Sequence, residues 1–394
     1  MLEGWKSVAL SELATFHSGG TPNKERSSFW GGPIPWVTVK DMKAMRLNGV
    51  GESLTEEGAN SIRVVPAGTV LVLVRGMGLF KDLPVVLCDR PVTFNQDIKA
   101  LVAKEDVDSE YLAFALIARK SDILRHVDSA GHGTGRLDTD LLKSTPLPLP
   151  TLPEQRKIAE VLRTWDEAIE KLEALRAAKR DNLTGITQQL IGRGGAFPQK
   201  WPLKPLSSIA ARVRRQNGGG DHPVMTISAK SGFLMQSDKF ARDMAGSSVE
   251  RYTLLEEGEF AYNKGNSLTA PYGCVYRLDR PAALVPFVYF CFALKAGLDH
   301  GFYEHLFAAG ALNHQLSRLI NSGVRNDGLL NLNVEDFFSC RVPVPPLDEQ
   351  SSIARTLSAA KQELTLLDDE IKALTRQKRG LMQKLLTGEW RVAV

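Results

Sequence analysis

Side chains able to grip an anion and read the edge of a nucleobase recur in this sequence within glycine-rich stretches. Arg212, Arg214 and Arg215 stand beside Gln216, Asn217 and a run of three glycines; Lys230 precedes Gly232, and Lys264 lies between Asn263 and Asn266. Nearer the start, Lys24 and Arg26 follow Gly19 and Gly20, while Lys40, Arg75 and Arg136 lie further on. Arginine and lysine beside amide and hydroxyl side chains are the donor and acceptor set that discriminates base pairs in a major groove. Any one of them alone reads as a solvated charge. The grouping, in loops of both halves, carries the reading.

Catalytic chemistry finds no comparable constellation. There is no P-loop, no GxGxxG between a strand and a helix, no HExxH and no GxSxG. GHGTGR (131–136) follows a helical stretch and leads into a proline-rich segment, so a loop is expected there. His300 and His305 are five apart, off the one-face spacing of a helical metal pair. The Asn/Asp-Pro-Pro-aromatic motif of adenine methyltransferases is missing, and nothing groups Asp41, Asp97 and Glu110 into a site. No metal site and no catalytic residue are expected in this chain.

The elements that must position the basic loops come in two copies. PLPTLPEQRKIAEVL (148–162) matches PVPPLDEQSSIARTL (343–357) at eight of fifteen positions, an offset of 195 residues. Unrelated stretches would share about one. GITQQLI (185–191) falls on GLMQKLL (380–386), and Trp5, Leu10, Ser11 and Ala14 fall on Trp201, Leu206, Ser207 and Ala210. The chain therefore reads as module, helix, module, helix.

The proline-rich lead-in of Pro146, Pro148, Pro150 and Pro153 must be extended, with Pro153 tolerable in a first helical turn. A helix is expected from there to Ile191, and a second from Leu347 or Asp348 to just before Gly388. In the second, Ile353, Leu357, Ala360, Leu364, Leu367, Ile371 and Leu374 step by four and three, a coiled-coil seam that Lys378 interrupts. The first has the same seam at Ile158, Leu162, Trp165, Ile169 and Leu172, interrupted by Arg176 and Lys179, where Leu175 could take over part of the face. The economical arrangement packs the two helices on each other as a spacer of roughly 57 Å. The alternative lays each stripe on its own module.

Short apolar runs between glycines and prolines predict strands at IPWVTV (34–39), GTVLVLV (68–74), LPVVL (83–87), VMTIS (224–228), EFAYN (259–263) and CVYRL (274–278). Helices are expected at YLAFALIARK (111–120) and around FVYFCFALKA (287–296). Both modules are therefore α+β.

The 394 residues are 43% hydrophobic and 24% charged, ordinary globular values that exclude disorder and disulfide scaffolds. A net charge of +4 neither announces nor forbids a nucleic-acid partner. Four cysteines without CxxC pairing predict inert thiols in a reduced compartment. Without a long apolar run or a signal-like start, a cytoplasmic location is expected.

With these residues in view, the chain resembles the specificity (S) subunit of a type I restriction–modification system. The resemblance rests on the two junctions PLPLPTLPEQRKIAEVL (146–162) and VPVPPLDEQSSIARTL (342–357), and on the helix ends QQLI (188–191) and RGLMQKLLTGEWR (379–391). HSGGTPNKERSSFWGGPIPWVTVKDM (17–42) with FNQDIKAL (94–101) is similar to one type of target recognition domain, and FAYNKGNS (260–267) is similar to another.

The resemblance implies an α+β protein with an internal pseudo-twofold repeat. Target recognition domains at 1–147 and 196–342 would be separated by conserved helices at 148–195 and 343–394, packed as an antiparallel coiled coil. Each domain would read one half of a split, asymmetric DNA target, with half-sites about one helical turn apart. The implied partners are double-stranded DNA, two methyltransferase (M) subunits and restriction/translocase (R) subunits, with no membrane. S-adenosylmethionine, ATP and Mg would be held by those partners, and no cofactor by this chain.

Carried onto this sequence, the expected DNA contacts are Thr21, Lys24, Arg26, Ser27, Lys40, Arg75 and Arg136 in the first domain. In the second they are Arg214, Arg215, Asn217, Lys230, Lys264 and Asn266. Trp36, Phe94 and Asn95 are read as structural, and Gly19 and Gly20 as allowing a turn or close backbone approach. A coiled-coil protein–protein scaffold without DNA specificity is the competing reading.

Overall fold

The computed structural model describes residues 4–130, 133–192, 197–198, 200–239, 246–265, 268–320 and 329–393. The chain divides into two compact units, Met1–Glu173 with Glu370–Val394, and Ala174–Asp369.

In the first unit the runs rich in β-branched residues form the predicted strands. Ala14–Ser18, Ile98–Ala103, Val70–Leu73 and Val85–Leu87 make an antiparallel sheet in that spatial order. Val70–Leu73 is buried on both faces, and so is most of the adjoining helix Ser109–Ala118, whose Tyr111, Leu112, Phe114 and Leu116 fill the core. Asp108 caps that helix by accepting the Tyr111 amide at 2.9 Å. A second sheet joins Glu52–Leu54, Trp30–Val37 and Thr93–Phe94, and a third joins Val127–Ala130, Thr134–Leu137 and Arg75–Gly76.

The second unit repeats the main sheet in the same order: Ala210–Arg212, Phe290–Leu294, Phe260–Asn263 and Cys274–Arg277. Its core is aromatic, with Phe260 stacked on Phe292 at 5.3 Å and Tyr262 on Phe337 at 4.5 Å. The segment 287–296, expected as a helix, contains the strand Phe290–Leu294 instead, and the helix comes later, at His300–Ala308. Phe290, Cys291, Phe292 and Leu294 are all buried, so the run has no polar alternation to mark it as a strand. Thr134–Leu137, in the expected loop, is a strand as well.

Both junctions fold as anticipated and for a shared reason. The alternate prolines of Pro146–Leu149 leave one hydrogen-bonding edge intact, and it pairs with Lys6–Ala9; Arg341–Pro343 pairs likewise with Leu203–Pro205. Long helices follow at Leu152–Leu190 and Leu347–Thr387. The Glu-Gln pair of each repeat then locks helix to module. Trp5 donates its indole N–H to Glu154 at 3.1 Å, and Trp201 does the same to Glu349 at 3.1 Å. Gln155 accepts the Asp108 amide at 2.8 Å, and Gln350 accepts the Asp299 amide at 2.9 Å, each at the capping residue of its module's helix.

Within each unit the two long helices run antiparallel. Lys378 meets Asp166 in the first unit, while Arg176 meets Asp368 at 2.9 Å and Lys179 meets Glu363 at 2.6 Å in the second. The charges that interrupt both seams are thus answered by carboxylates of the facing helix. The apolar stripe also serves both arrangements considered from the sequence. Ile158 and Leu162 join the first module's core, together with Leu385 and Leu386 of the other helix. Ile353 and Leu357 join the second core, with Leu183, Ile186 and Leu190 packed against it. Leu175 does not take over the face: it is 44% exposed.

Candidate nucleic-acid interface

In the first unit the expected contacts sit on a rigid aromatic frame. A side chain at Gly19 would lie 2.3 Å from the carbonyl oxygens of Phe94 and Asn95, so only glycine lets the two backbones approach. The Gly20 amide bonds Phe94 at 2.9 Å, the Trp36 indole returns to the Gly20 carbonyl at 3.0 Å, and the Trp30 indole reaches Asn23 at 3.1 Å. The indoles meet edge to face at 5.1 Å. Trp36 and Phe94 are buried, and Asn95 accepts the Asp97 amide at 3.2 Å.

This frame presents Thr21, Lys24, Arg26 and Ser27 at the surface. Thr21 donates to Gln96 at 2.7 Å, and Lys24 lies 5.7 Å above the Trp36 ring. Arg26 pairs with Glu57 at 2.5 Å over the Phe29 ring. Lys40 projects from a turn that Asp41 organises, its carboxylate accepting the Thr38 amide, the Thr38 hydroxyl and the Gly51 amide at 2.8–2.9 Å. Arg75 and Arg136, far apart in sequence, are direct cross-strand neighbours and both exposed.

The second unit divides its candidates between two places. Lys230 is at the exposed tip of the hairpin formed by Met225–Ser228 and Gly232–Met235. Asn263 donates to the Ile227 carbonyl at 3.2 Å and Tyr276 to that of Ala229 at 2.9 Å, which brings Lys264 to the same side; its ammonium lies 5.3 Å from the Phe290 ring. Arg214, Arg215 and Asn217 occupy a segment bonded instead to Leu254. Arg214 is exposed. Arg215 is half-buried, forked onto Glu259 at 3.1 and 3.2 Å and within 3.3 Å of Glu256, and these carboxylates hold its pKa above the ordinary arginine value. The structure gives Arg215 an internal partner that a DNA contact would have to displace. Asn217 keeps a buried carbonyl oxygen without a partner among the described residues, and Asn266 lies outside them.

Comparison with known proteins now has a structure to meet. The model of the type I restriction modification DNA specificity domain matches residues 2–179. The EcoR124I/EcoR124II specificity subunit of Escherichia coli is 35% identical over 165 residues, covering 41% of this chain and 40% of that protein. The chain thus spans less than half of that relative. The MjaIX specificity subunit of Methanocaldococcus jannaschii is 23% identical across 98% of this chain and 94% of its own. Residues 2–179 thus resemble that DNA specificity domain, and along its length the chain is similar to a type I specificity subunit. The crystal structure of the S subunit from M. genitalium shares the fold, at a TM-score of 0.60 and 17% identity over 97% of this chain and 96% of that one.

The three acids noted in the sequence have structural work. Asp41 shapes the Lys40 turn, and Asp97 accepts the amides of Val74 and Arg75 on its carbonyl at 2.8 and 3.2 Å. Glu110 bridges Arg46 and Arg163, the latter at 3.0 Å. Sequence reasoning passed over Lys43, Arg46 and Asn48, which line with Lys40 a concavity of about 560 Å³. The signal was present: Lys40, Lys43 and Arg46 recur every third residue. Cys88, Cys291 and Cys340 are buried, which pushes their thiols up to about 12, 12 and 11 and keeps them protonated and inert. Among the described residues no helix is long and apolar enough to cross a membrane.

Proposed function

We propose that this chain is a type I specificity subunit that reads a split, asymmetric DNA sequence, one half-site per module, and docks the methyltransferase subunits that act there. The duplicated junction carries this reading. Two cores, each tied to its own end of the helix pair by the same indole–carboxylate and glutamine–amide bonds, make two independently built readers in one chain. The first module would read through Thr21, Lys24, Arg26, Ser27, Lys40, Arg75 and Arg136. The second would use Arg214, Asn217, Lys230, Lys264 and Asn266, with Arg215 first releasing Glu259. The recognition domains are taken as 1–147 and 196–342, and the helices at 148–195 and 343–394 as the framework on which two M subunits and the R subunits assemble. S-adenosylmethionine, ATP and Mg belong to those partners in this reading, and the complex works in the cytoplasm.

Replacing residues 196–342 by the corresponding segment of another specificity subunit tests the division of labour. One half of the methylated motif should change and the other persist. A change in both halves, or in neither, would contradict it.

A further inference from the structure

The sheet of Val127–Ala130, Thr134–Leu137 and Arg75–Gly76 is built to carry something its scaffold does not need. Arg136 faces Arg75 directly across the strands, and like charges at such a position repel. Neither guanidinium has an ion-pair partner among the described residues; the carboxylates nearest Arg136 are exposed, Asp128 directly across the strand and Asp138, whose pKa Arg136 helps to lower. Two glycines enforce the approach. Gly76 has φ +149, and a side chain at Gly135 would meet the Gly76 carbonyl at 3.0 Å and Leu79 at 3.1 Å.

Beside the pair, the short turn Met77–Phe80 buries Leu79 as an anchor and leaves Met77 72% and Phe80 53% exposed. The second unit makes the same backbone connection, Leu330 N–H to the Lys264 carbonyl at 2.8 Å, where the first has Leu137 to Val74 at 2.9 Å. There, however, Gly265 and Leu329 stand where the first unit has Arg75 and Arg136. The fold therefore tolerates the position without arginine. The pair is a property of the first module alone.

We propose that Arg75 and Arg136, flanked by Met77 and Phe80, form the first module's minor-groove probe. The two guanidiniums enter the groove of that module's half-site, and the apolar tip presses against a base step. This rests on the DNA-reading function proposed above and names the groove and the residues. Two adjacent exposed arginines without an ion-pair partner among the described residues suit the concentrated negative potential of a narrow minor groove, and exposed Phe and Met are side chains that minor-groove proteins insert between base steps. GHGTGR and VRGMGLF, which catalytic motifs did not explain, supply this geometry.

The test is selection from a random duplex library by the full chain assembled with its methyltransferase subunits. The wild-type complex should enrich a two-part motif; if it enriches nothing, the function proposed above has failed and this inference falls with it. Given the motif, Arg75→Ala with Arg136→Ala should blur one half and leave the other, with affinity falling roughly 5- to 100-fold and the salt slope by about one per arginine. Arg75→Lys with Arg136→Lys, which keeps the charge and the fold, should retain most of the salt slope yet lose selectivity. Inosine for guanine or 2,6-diaminopurine for adenine in that half, each altering only the minor-groove edge, should change the affinity of the wild type and not that of the alanine variant. An unchanged motif in the alanine variant overturns the inference, and so does a wild-type affinity indifferent to both minor-groove analogues.

Discussion

Replacing Gln155 by Ala isolates the bond set that joins the first module to its helix. The side chain is 1% exposed and makes three hydrogen bonds: it accepts the Asp108 amide at 2.8 Å and donates to the carbonyls of Asp106 and Pro150, each at 3.0 Å. At about 1 kcal/mol per neutral bond, the loss is about 3 kcal/mol, with the stranded carbonyls setting the upper end. Gln350 in the repeat makes two such bonds, to the Asp299 amide and the Pro345 carbonyl, so Gln350→Ala should cost about 2 kcal/mol. The two glutamines share no partner and belong to different cores, so the double variant should lose the sum within about 0.5 kcal/mol. Urea unfolding followed by tryptophan fluorescence reports both, because Trp5 and Trp201 bond the neighbouring Glu154 and Glu349. A Gln155→Ala variant within about 0.5 kcal/mol of wild type would refute the reasoning, as would a Gln350→Ala cost clearly above it.

Three further outcomes follow from the contacts. Arg215→Ala strands the buried Glu259 and should cost about 2 kcal/mol after allowance for the half-exposed guanidinium, whereas Arg214→Ala should stay within about 0.5 kcal/mol; equal costs by urea titration would contradict the assignment. A double-mutant cycle on Arg176 and Asp368 should give a coupling of about 0.5–1 kcal/mol that shrinks at high salt, and a zero coupling would remove that pair from the helix seam. At pH 8 a thiol raised to about 12 is roughly one part in ten thousand thiolate, so native Cys88 and Cys291 should resist a thiol reagent while the half-buried Cys274 is modified first. Reactivity of the two buried thiols should rise with pH only as they approach their shifted values. Mass spectrometry of the labelled protein decides it.

The repeat, the strands flanked by glycine and the two long helices were legible in the sequence because each rests on local pattern. Phe290–Leu294 was misread because a strand buried on both faces lacks the alternation that distinguishes it from a buried helix. The site was less legible, since its geometry is made by contacts distant along the chain. Arg215 looked like a free reader beside Gln216 and Asn217, but its carboxylate Glu259 comes from 44 residues away. Arg75 and Arg136 were separately visible as basic residues, while their pairing depends on a strand register. The charges breaking each helix seam were visible as interruptions, but the facing carboxylates Asp166, Asp368 and Glu363 that make them polar layers come from the other helix.

Mapping modified bases across the genome of cells that carry this chain with the methyltransferase and translocase subunits proposed above tests the central claim most directly. Two unlike half-sites separated by a fixed unread gap, methylated only when this chain is present, is the pattern that twin modules predict. A continuous palindrome, or methylation indifferent to the chain, would contradict it.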